Sequence, residues 1–162
     1  MKKTKIINYK KILKIILILI WMLTIFLFSS ENGEKSESTS KKVTVVIVET
    51  VTNREFAEDE PIIVQTDKII RKLAHYTIYA IGGLLIMNYF YTTEKSTKQK
   101  ILYSIILGAG YATTDELHQY FVSERSARIF DVGIDTLGVI TGVLLYLVIR
   151  RVIETVKRKT QE

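Results

Sequence analysis

The sequence predicts an all-α fold: a four-helix transmembrane bundle with a short amphipathic segment on the outer surface between helices 1 and 2. Hydrophobic residues make up 48% of the 162 positions although 25% are charged, and the charges are segregated from long apolar stretches. The single proline, Pro61, lies outside those stretches, so no proline interrupts a helix there. A chain of this length has room for one domain, and we expect residues 1–162 to form it.

Four apolar stretches are predicted to cross the membrane, at about residues 12–28, 69–91, 101–118 and 132–149. Each approaches the roughly 20 residues needed to cross a hydrocarbon core of about 30 Å, once flanking polar side chains reach toward the interface. The second span is predicted to begin at Thr66, which can act as its N-cap. No cysteine is present, which excludes disulfides, thiolate metal ligands and cysteine nucleophiles.

The charges of the connecting segments predict the topology, because lysine and arginine favour the cytoplasmic side of short loops. The first 14 residues carry six lysines and no acidic residue, whereas loop 29–68 carries five basic and nine acidic residues. The connection 92–100 and the tail after residue 149 are basic again. We therefore expect a multi-pass protein with both termini cytoplasmic and loop 29–68 outside. No small-x-small cleavage site follows the first span, so we expect that span to be retained.

Within the outer loop, one segment has the periodicity of an amphipathic helix. Val43, Val46, Ile47, Thr50 and Val51 follow the spacing of one helical face. Their β-branched side chains favour a strand instead. We prefer a short helix lying on the outer membrane surface, because an isolated strand would leave its backbone groups unpaired.

Ionisable side chains in spans two, three and four converge on the outer ends of those spans. His75 follows Arg71 by one helical turn in the second span. In the third span, Asp115, His118 and Gln119 share a face, and Glu116 is predicted to point elsewhere. A charge at the centre of a membrane helix costs about 2.5–3.5 kcal/mol, so these charges need partners. The predicted outward-facing polar site comprises Arg71, Lys72, His75, Asp115, Glu116, His118, Gln119, Arg125, Arg128, Asp131 and Asp135.

The fourth span places two carboxylates and two glycines on one stripe. Asp131, Asp135, Gly138 and Gly142 recur at intervals of three or four residues, which is one face of a helix. Gly138 and Gly142 form a GxxxG pattern, which lets a neighbouring backbone approach closely. We therefore expect this stripe to pack inside the bundle.

The residues alone leave several functions open for the polar site. An interhelical ion-pair network would make the chain a purely structural membrane partner protein. A site for the anionic head group of a lipid or cell-wall precursor would use the arginines, which bind phosphate bidentately. A metal-assisted hydrolase or transferase acting on a lipid phosphate would use the imidazoles and carboxylates as ligands.

The sequence favours binding over catalysis. A His-x-x-x-His pair, a Gly-rich phosphate loop and a nucleophile elbow are all missing, so metal and cofactor stay unassigned. A transporter is least favoured, because no inverted repeat is visible and four spans are few for one chain. Transport would therefore require an oligomer. The net charge of +6 fits orientation in the membrane and contact with anionic membrane lipid, and we expect no nucleic-acid partner.

Three blocks of the sequence resemble the VanZ-like membrane proteins, a family named for an accessory protein of glycopeptide-antibiotic resistance clusters. They are "FSSENGEKS", "RKLAHYTIYAIGGLL" and "DELHQYFVSERSARIFDVGIDTLG". The resemblance implies a protein of the bacterial plasma membrane, with a role in the cell envelope or in resistance to teicoplanin-type lipoglycopeptides. The family often has proline and glycine before the loop arginine, where this chain has Ser123 and Glu124. That departure leaves the turn geometry of the loop open.

Overall fold

The computed structural model describes residues 9–160, and this part of the chain contains five helices and no strand. The all-α prediction is confirmed. Part of the basic N-terminus used to orient the first span (Lys2, Lys3 and Lys5) lies outside the described residues. The helices are α1 (Tyr9–Ser29), α2 (Gly33–Thr52), α3 (Pro61–Phe90), α4 (Thr97–Tyr120) and α5 (Ile129–Lys159).

Three of these helices, α1, α3 and α5, are long and apolar enough to cross a membrane, where the sequence predicted four spans. Helix α4 has 24 residues, about 36 Å of helix, so its length is sufficient. Its hydropathy is lowered by polar residues, and several of them are buried: Ser104, Asp115, Glu116 and Gln119. These side chains face the other helices of the bundle. They lower the hydropathy of α4 without being exposed on its outer surface.

The predicted outer loop contains a helix of 20 residues, α2, which is much longer than the short segment expected. Helix, rather than strand, is confirmed for this segment. Asn32 caps the start by accepting a hydrogen bond from the Glu34 backbone N–H, a common N-cap arrangement. One face of α2 packs on α3, where Thr44 donates to Asp67 over 3.1 Å. The valines and isoleucine of the predicted apolar face (Val43, Val46, Ile47 and Val51) remain exposed.

Helix α3 begins at Pro61, five residues before the predicted start at Thr66. Proline is favoured in the first turn because its fixed φ suits a helix and its missing N–H would have no intrahelical partner there. Among the described residues, α3 is the helix that contacts all four others, so it forms the centre of the fold.

Helix α1 runs antiparallel to α3. The Trp21 indole N–H donates to the Ile78 carbonyl over 2.8 Å, and Lys14 donates to the Asn88 carbonyl over 2.8 Å. Trp21 is 5% exposed and meets Tyr79 edge to face at 5.7 Å between ring centroids. These contacts join the first helix to the core along most of its length.

Helices α3 and α5 run parallel and approach closely at glycines. A Cβ added to Gly138 would lie 2.4 Å from the Tyr76 carbonyl oxygen, and one added to Gly142 would lie 1.8 Å from the Ala80 carbonyl oxygen. The hydroxyls of Tyr76 and Thr141 are hydrogen-bonded at 2.6 Å. The two backbones are therefore in direct contact, and no larger residue fits at either glycine without moving a helix.

Candidate functional site

A cavity of about 450 Å³ lies at the end of the bundle where α3, α4 and α5 bring the ionisable residues together. The start of α2 and the 121–128 connection complete its wall. The rim is exposed, with Lys68, Lys72 and Arg128 on it, while Gln119 and Asp135 on the floor are buried. All of the predicted site residues line this cavity except Asp115 and His118.

Asp135 forms the floor of the cavity and is fully buried, at 0% exposure. Among the described residues, neither of its carboxylate oxygens has a hydrogen-bond partner. His75 Nδ1 lies 3.7 Å from Asp135 Oδ1, a distance that allows charge attraction but is too long for a hydrogen bond. Nearer the rim, Lys72 Nζ lies 3.4 Å from Asp131 Oδ1. The floor therefore holds a carboxylate whose oxygens are not satisfied by their neighbours.

Asp115 lies beside this floor and is held by hydrogen bonds. Its Oδ2 accepts from the Tyr79 hydroxyl over 3.3 Å and from Gln119 Nε2 over 3.2 Å. Asp115 is 4% exposed. One ligand atom from each of His75, Asp115 and Asp135 lies within 4.8 Å of the others, so three helices contribute to one small cluster.

Glu116 and His118 lie differently from the prediction. Glu116, expected to point away from the site, is buried and lines the cavity, and its Oε2 accepts from the Arg128 backbone N–H over 2.9 Å. His118 turns toward α1, where it stacks on Phe26 at 4.6 Å and lies 3.1 Å from the Ser30 hydroxyl. The reason is that α5 packs on the Glu116 side of α4, and α1 packs on the His118 side.

Arg125 joins four segments of the chain through its guanidinium. Nη2 donates to the Phe28 carbonyl over 2.9 Å and to the Ser36 hydroxyl over 3.1 Å, while Nε donates to the Glu31 carbonyl over 3.0 Å. Nη1 donates to Gln119 Oε1 over 3.3 Å. Burial lowers the pKa of Arg125 from its usual value, but a guanidinium stays protonated in proteins. Arg125 therefore fastens the 121–128 connection to α1 and α2 with most of its donors.

Arg71 differs from Arg125, because it makes no hydrogen bond or ion pair with another described residue. It is partly buried and lines two cavities at once. The second cavity, of about 300 Å³, lies between α1, α2 and α3 and has a largely apolar lining that includes Ile25, Phe28 and Ile78. A cation with unused donors thus stands between a charged cavity and an apolar one.

Several residues of the cavity were not predicted. Lys68 and Glu37 line it, and Glu37 is paired with Lys41 at 2.7 Å. The hydrogen bond from Lys41 lowers the pKa of Glu37. Lys68 precedes Arg71 by three residues and Lys72 by four, so its spacing on the predicted helix would have identified it. No local pattern identifies Glu37, because its place depends on how α2 packs.

Fold and cavity together define a helical protein with membrane-span-length helices and a charged cavity at one end of the bundle. The model of the VanZ/LLP1 family matches residues 14–150. The chain therefore belongs to the VanZ/LLP1 family, as the resemblance predicted, and the match includes every residue of the cavity described above. No curated protein and no solved structure shows a significant match to the chain.

Proposed function

We propose that this chain is a bacterial plasma-membrane protein that binds the anionic head group of a membrane lipid or of a lipid-linked cell-wall precursor. The observation that carries this proposal is the position of Arg71, which has unused donors between the charged cavity and the apolar cavity. Arginine binds phosphate oxygens through its planar fork. A head group in the first cavity would leave the hydrocarbon chain at the mouth of the second.

The arrangement of the helices supports four membrane crossings, with both termini cytoplasmic and the cavity facing outward. Helices α3 and α5 are parallel, so the chain between them must return along the bundle. Helix α4 makes this return, since it meets α3 at Tyr79 and Asp115 near one end and at Met87 and Ser104 toward the other. The basic end of α5, at 157–159, then lies in the cytoplasm, where lysine and arginine are favoured.

Labelling of single cysteines tests this topology directly. Thr39, Thr97 and Ser123 are exposed and lie in α2, at the start of α4 and in the 121–128 connection. In intact cells, a membrane-impermeant thiol reagent is expected to label Thr39→Cys and Ser123→Cys but not Thr97→Cys. Labelling of Thr97→Cys would contradict four crossings with this orientation. The exposed apolar face of α2 would then also have to be placed somewhere other than the outer membrane surface.

The hydrogen bonds of the site favour binding over a purely structural ion-pair network. Such a network would pair the buried carboxylates with the arginines. Instead, Arg125 donates to two carbonyls, a hydroxyl and an amide, and Arg71 pairs with none of the described residues. Asp135 keeps two oxygens without hydrogen bonds. These groups are available to a ligand, and a closed network would have used them.

Lipid titration of the purified full-length protein in detergent tests the proposal. The probes are phosphatidylglycerol, undecaprenyl phosphate, uncharged diacylglycerol and glycerol phosphate. Arg71→Gln is expected to weaken binding of the two anionic lipids about tenfold or more, because a hydrogen bond to a charged group contributes about 1.5–3 kcal/mol. Arg151→Gln is the matched control, since Arg151 is exposed and lies at the far end of α5. Equal binding by wild type and Arg71→Gln, or an equal loss in Arg151→Gln, would refute a head-group site at Arg71.

The probes also distinguish the sources of the anion. A site that holds both head group and chain should bind the anionic lipids much more tightly than glycerol phosphate. Ala74 lines the apolar cavity, and Ala74→Phe should reduce affinity for the lipids while leaving glycerol phosphate unchanged. If glycerol phosphate binds as tightly as the lipids, the site recognises the head group alone.

The role in the cell is proposed from the family: envelope biology, or resistance to teicoplanin-type lipoglycopeptides. Expression of the wild type in a sensitive Gram-positive strain is expected to raise the teicoplanin concentration that inhibits growth. Arg71→Gln, present in the membrane at the same level, is expected to lose this protection. If the wild type gives no protection, the resistance role fails for this chain, while the lipid titration decides the binding role separately.

A further inference from the structure

The cluster at the floor of the cavity has the composition and spacing of a metal site. His75 is contributed by α3, Asp115 by α4 and Asp135 by α5, and their potential ligand atoms lie within 4.8 Å of one another. Metal–ligand distances of about 2.0–2.2 Å place two ligand atoms on one ion at most about 4.4 Å apart. Three ligand atoms around one ion generally lie about 3–4 Å apart at these distances, so side-chain movements of up to about 1 Å would bring all three onto a single ion.

Asp135 supplies a second, independent observation. Its carboxylate is fully buried at the floor of the cavity, and neither of its oxygens has a hydrogen-bond partner among the described residues. A buried carboxylate in this state is costly unless a positive charge compensates for it. None of the neighbouring cations pairs with Asp135: Lys72 pairs with Asp131, Arg125 donates to carbonyls, and Arg71 makes no ion pair with a described residue. His75 lies 3.7 Å away, close enough for charge attraction but too far to donate a hydrogen bond, so both oxygens of Asp135 keep their acceptor positions.

We propose that His75, Asp115 and Asp135 bind one divalent cation at the floor of the cavity. One imidazole with two carboxylates suits Zn²⁺ or Mn²⁺, because imidazole favours zinc and carboxylates favour manganese, whereas Mg²⁺ and Ca²⁺ prefer an all-oxygen shell. Tyr79 and Gln119 already hold Asp115 in place, which is the arrangement that orients a ligand from outside the metal shell. The charge of the ion balances the two carboxylates.

The remaining coordination positions of the ion face the cavity, where water or an oxygen of an anionic ligand completes the shell. Three protein ligands with an open position are typical of sites that bind or polarise a substrate, whereas structural sites are closed by protein. The cation would therefore act from the floor on the same anion that Arg71 meets from the wall. Binding of the cation itself does not depend on the proposed lipid function, since its ligands all belong to this chain.

Metal titration of the full-length protein in detergent, without lipid, tests the site. The protein is stripped with EDTA and dialysed, and MnCl₂ is then added while free Mn²⁺ is followed by electron paramagnetic resonance; ZnCl₂ competes in a second titration. Wild type is expected to bind one Mn²⁺ per chain. Asp135→Asn and His75→Gln are each expected to bind at least about tenfold more weakly, since even a partner of a ligand changes affinity by about 10–100-fold.

The matched control is Asp131→Asn, which removes a carboxylate that lines the same cavity outside the cluster. It is expected to weaken Mn²⁺ binding much less than Asp135→Asn does, because Asp131 contributes charge to the cavity but no ligand atom to the cluster. Thermal unfolding provides a second measurement: Mn²⁺ should raise the melting temperature of the wild type and of Asp131→Asn, and leave that of Asp135→Asn unchanged. In EDTA, Asp135→Asn should melt no lower than the wild type, because it removes an unpartnered buried charge.

Absence of saturable Mn²⁺ and Zn²⁺ binding by the wild type would overturn the proposal, as would an equal loss in Asp131→Asn and Asp135→Asn. If Asp135→Asn does not fold, His75→Gln and its control decide the matter. The outcome is separate from that of the lipid titration. Metal binding without affinity for anionic lipid would refute the proposed function alone, and lipid affinity without metal binding would refute the metal site alone.

Discussion

The contact between α3 and α5 at Gly142 predicts a large and specific loss of stability in Gly142→Ala. The added Cβ would lie 1.8 Å from the Ala80 carbonyl oxygen and 2.8 Å from the Leu84 backbone nitrogen. An ordinary contact begins at 3.4 Å, so the Cβ and the Ala80 oxygen must separate by about 1.6 Å. Both contacted atoms are backbone, and no side chain can rotate away. Moving the helices apart disturbs the interface that places His75 opposite Asp135.

The cost of such overpacking is about 1–3 kcal/mol. In a domain of this size, each 1 kcal/mol lowers the melting temperature by about 2–4 °C. We therefore expect Gly142→Ala to melt about 2–12 °C below the wild type, measured by thermal unfolding of the purified protein in one detergent. Direct Mn²⁺ titration of the same samples should show weakened binding, since α5 carries Asp135.

Gly133→Ala is the matched control, because Gly133 lies in the same helix and has nothing within 4 Å of an added Cβ. There, alanine favours the helix over glycine by about 1 kcal/mol. Gly133→Ala should therefore melt at the same temperature as the wild type or higher, whereas Gly142→Ala should melt lower. Equal melting temperatures for the two variants would refute the conclusion that backbone contact at Gly142 holds the interface.

Two further predictions concern the 121–128 connection. Arg125→Lys should destabilise the protein by about 1–3 kcal/mol, because lysine cannot reproduce the four hydrogen bonds of the guanidinium. The control is Arg128→Lys, at an exposed position, which should change stability by less than about 0.5 kcal/mol. Equal effects of the two substitutions would contradict the role given to Arg125. Glu124 has φ 62°, a left-handed conformation that costs a non-glycine residue about 1–2 kcal/mol, so Glu124→Gly should raise the melting temperature by a few degrees. Ser123→Gly lacks that strain to relieve and should lower it, and a rise in both variants would show that the turn is not strained at Glu124.

Periodicity and composition are sufficient to predict helices α1, α3, α4 and α5 and the convergence of charge at one end of them. The stripe of Asp131, Asp135, Gly138 and Gly142 was read from its spacing, and the structure places both glycines against the backbone of α3. The prediction works because a residue's face on a helix follows from its position alone. A buried carboxylate on such a face is unusual enough to mark the site before any contact is known.

What the sequence could not supply was the arrangement of the helices around one another. The first half of α2 is polar on every side, so no periodicity predicts it. It is held by the Asn32 cap and by tertiary contacts, with Gly33 against the Glu124 carbonyl and Ser36 accepting from Arg125. The same limit explains the exchange of Glu116 and His118, because which face of α4 meets α5 depends on where α5 lies.

The loop sequence also acquires a physical explanation from the structure. Glu124 occupies a left-handed position at which glycine has no steric penalty, and the resembling family often has glycine there. Gly33 must lack a side chain, since an added Cβ would lie 2.0 Å from the Glu124 carbonyl oxygen. The turn in this chain therefore places a non-glycine residue in the left-handed region, at the expense of backbone strain, and Arg125 still reaches its partners.

The two walls of the cavity are held by different forces, and this makes the two proposals separable. On one side, α3 and α5 touch backbone to backbone at Gly138 and Gly142, which determines the distance between His75 and Asp135. On the other side, the wall depends on hydrogen bonds from Arg125. A change on the glycine side should therefore alter Mn²⁺ binding first. A change at Arg125 should alter lipid binding first, because it loosens the boundary between the charged cavity and the apolar one. It reaches the metal ligands only indirectly, through Gln119 and its hydrogen bond to Asp115.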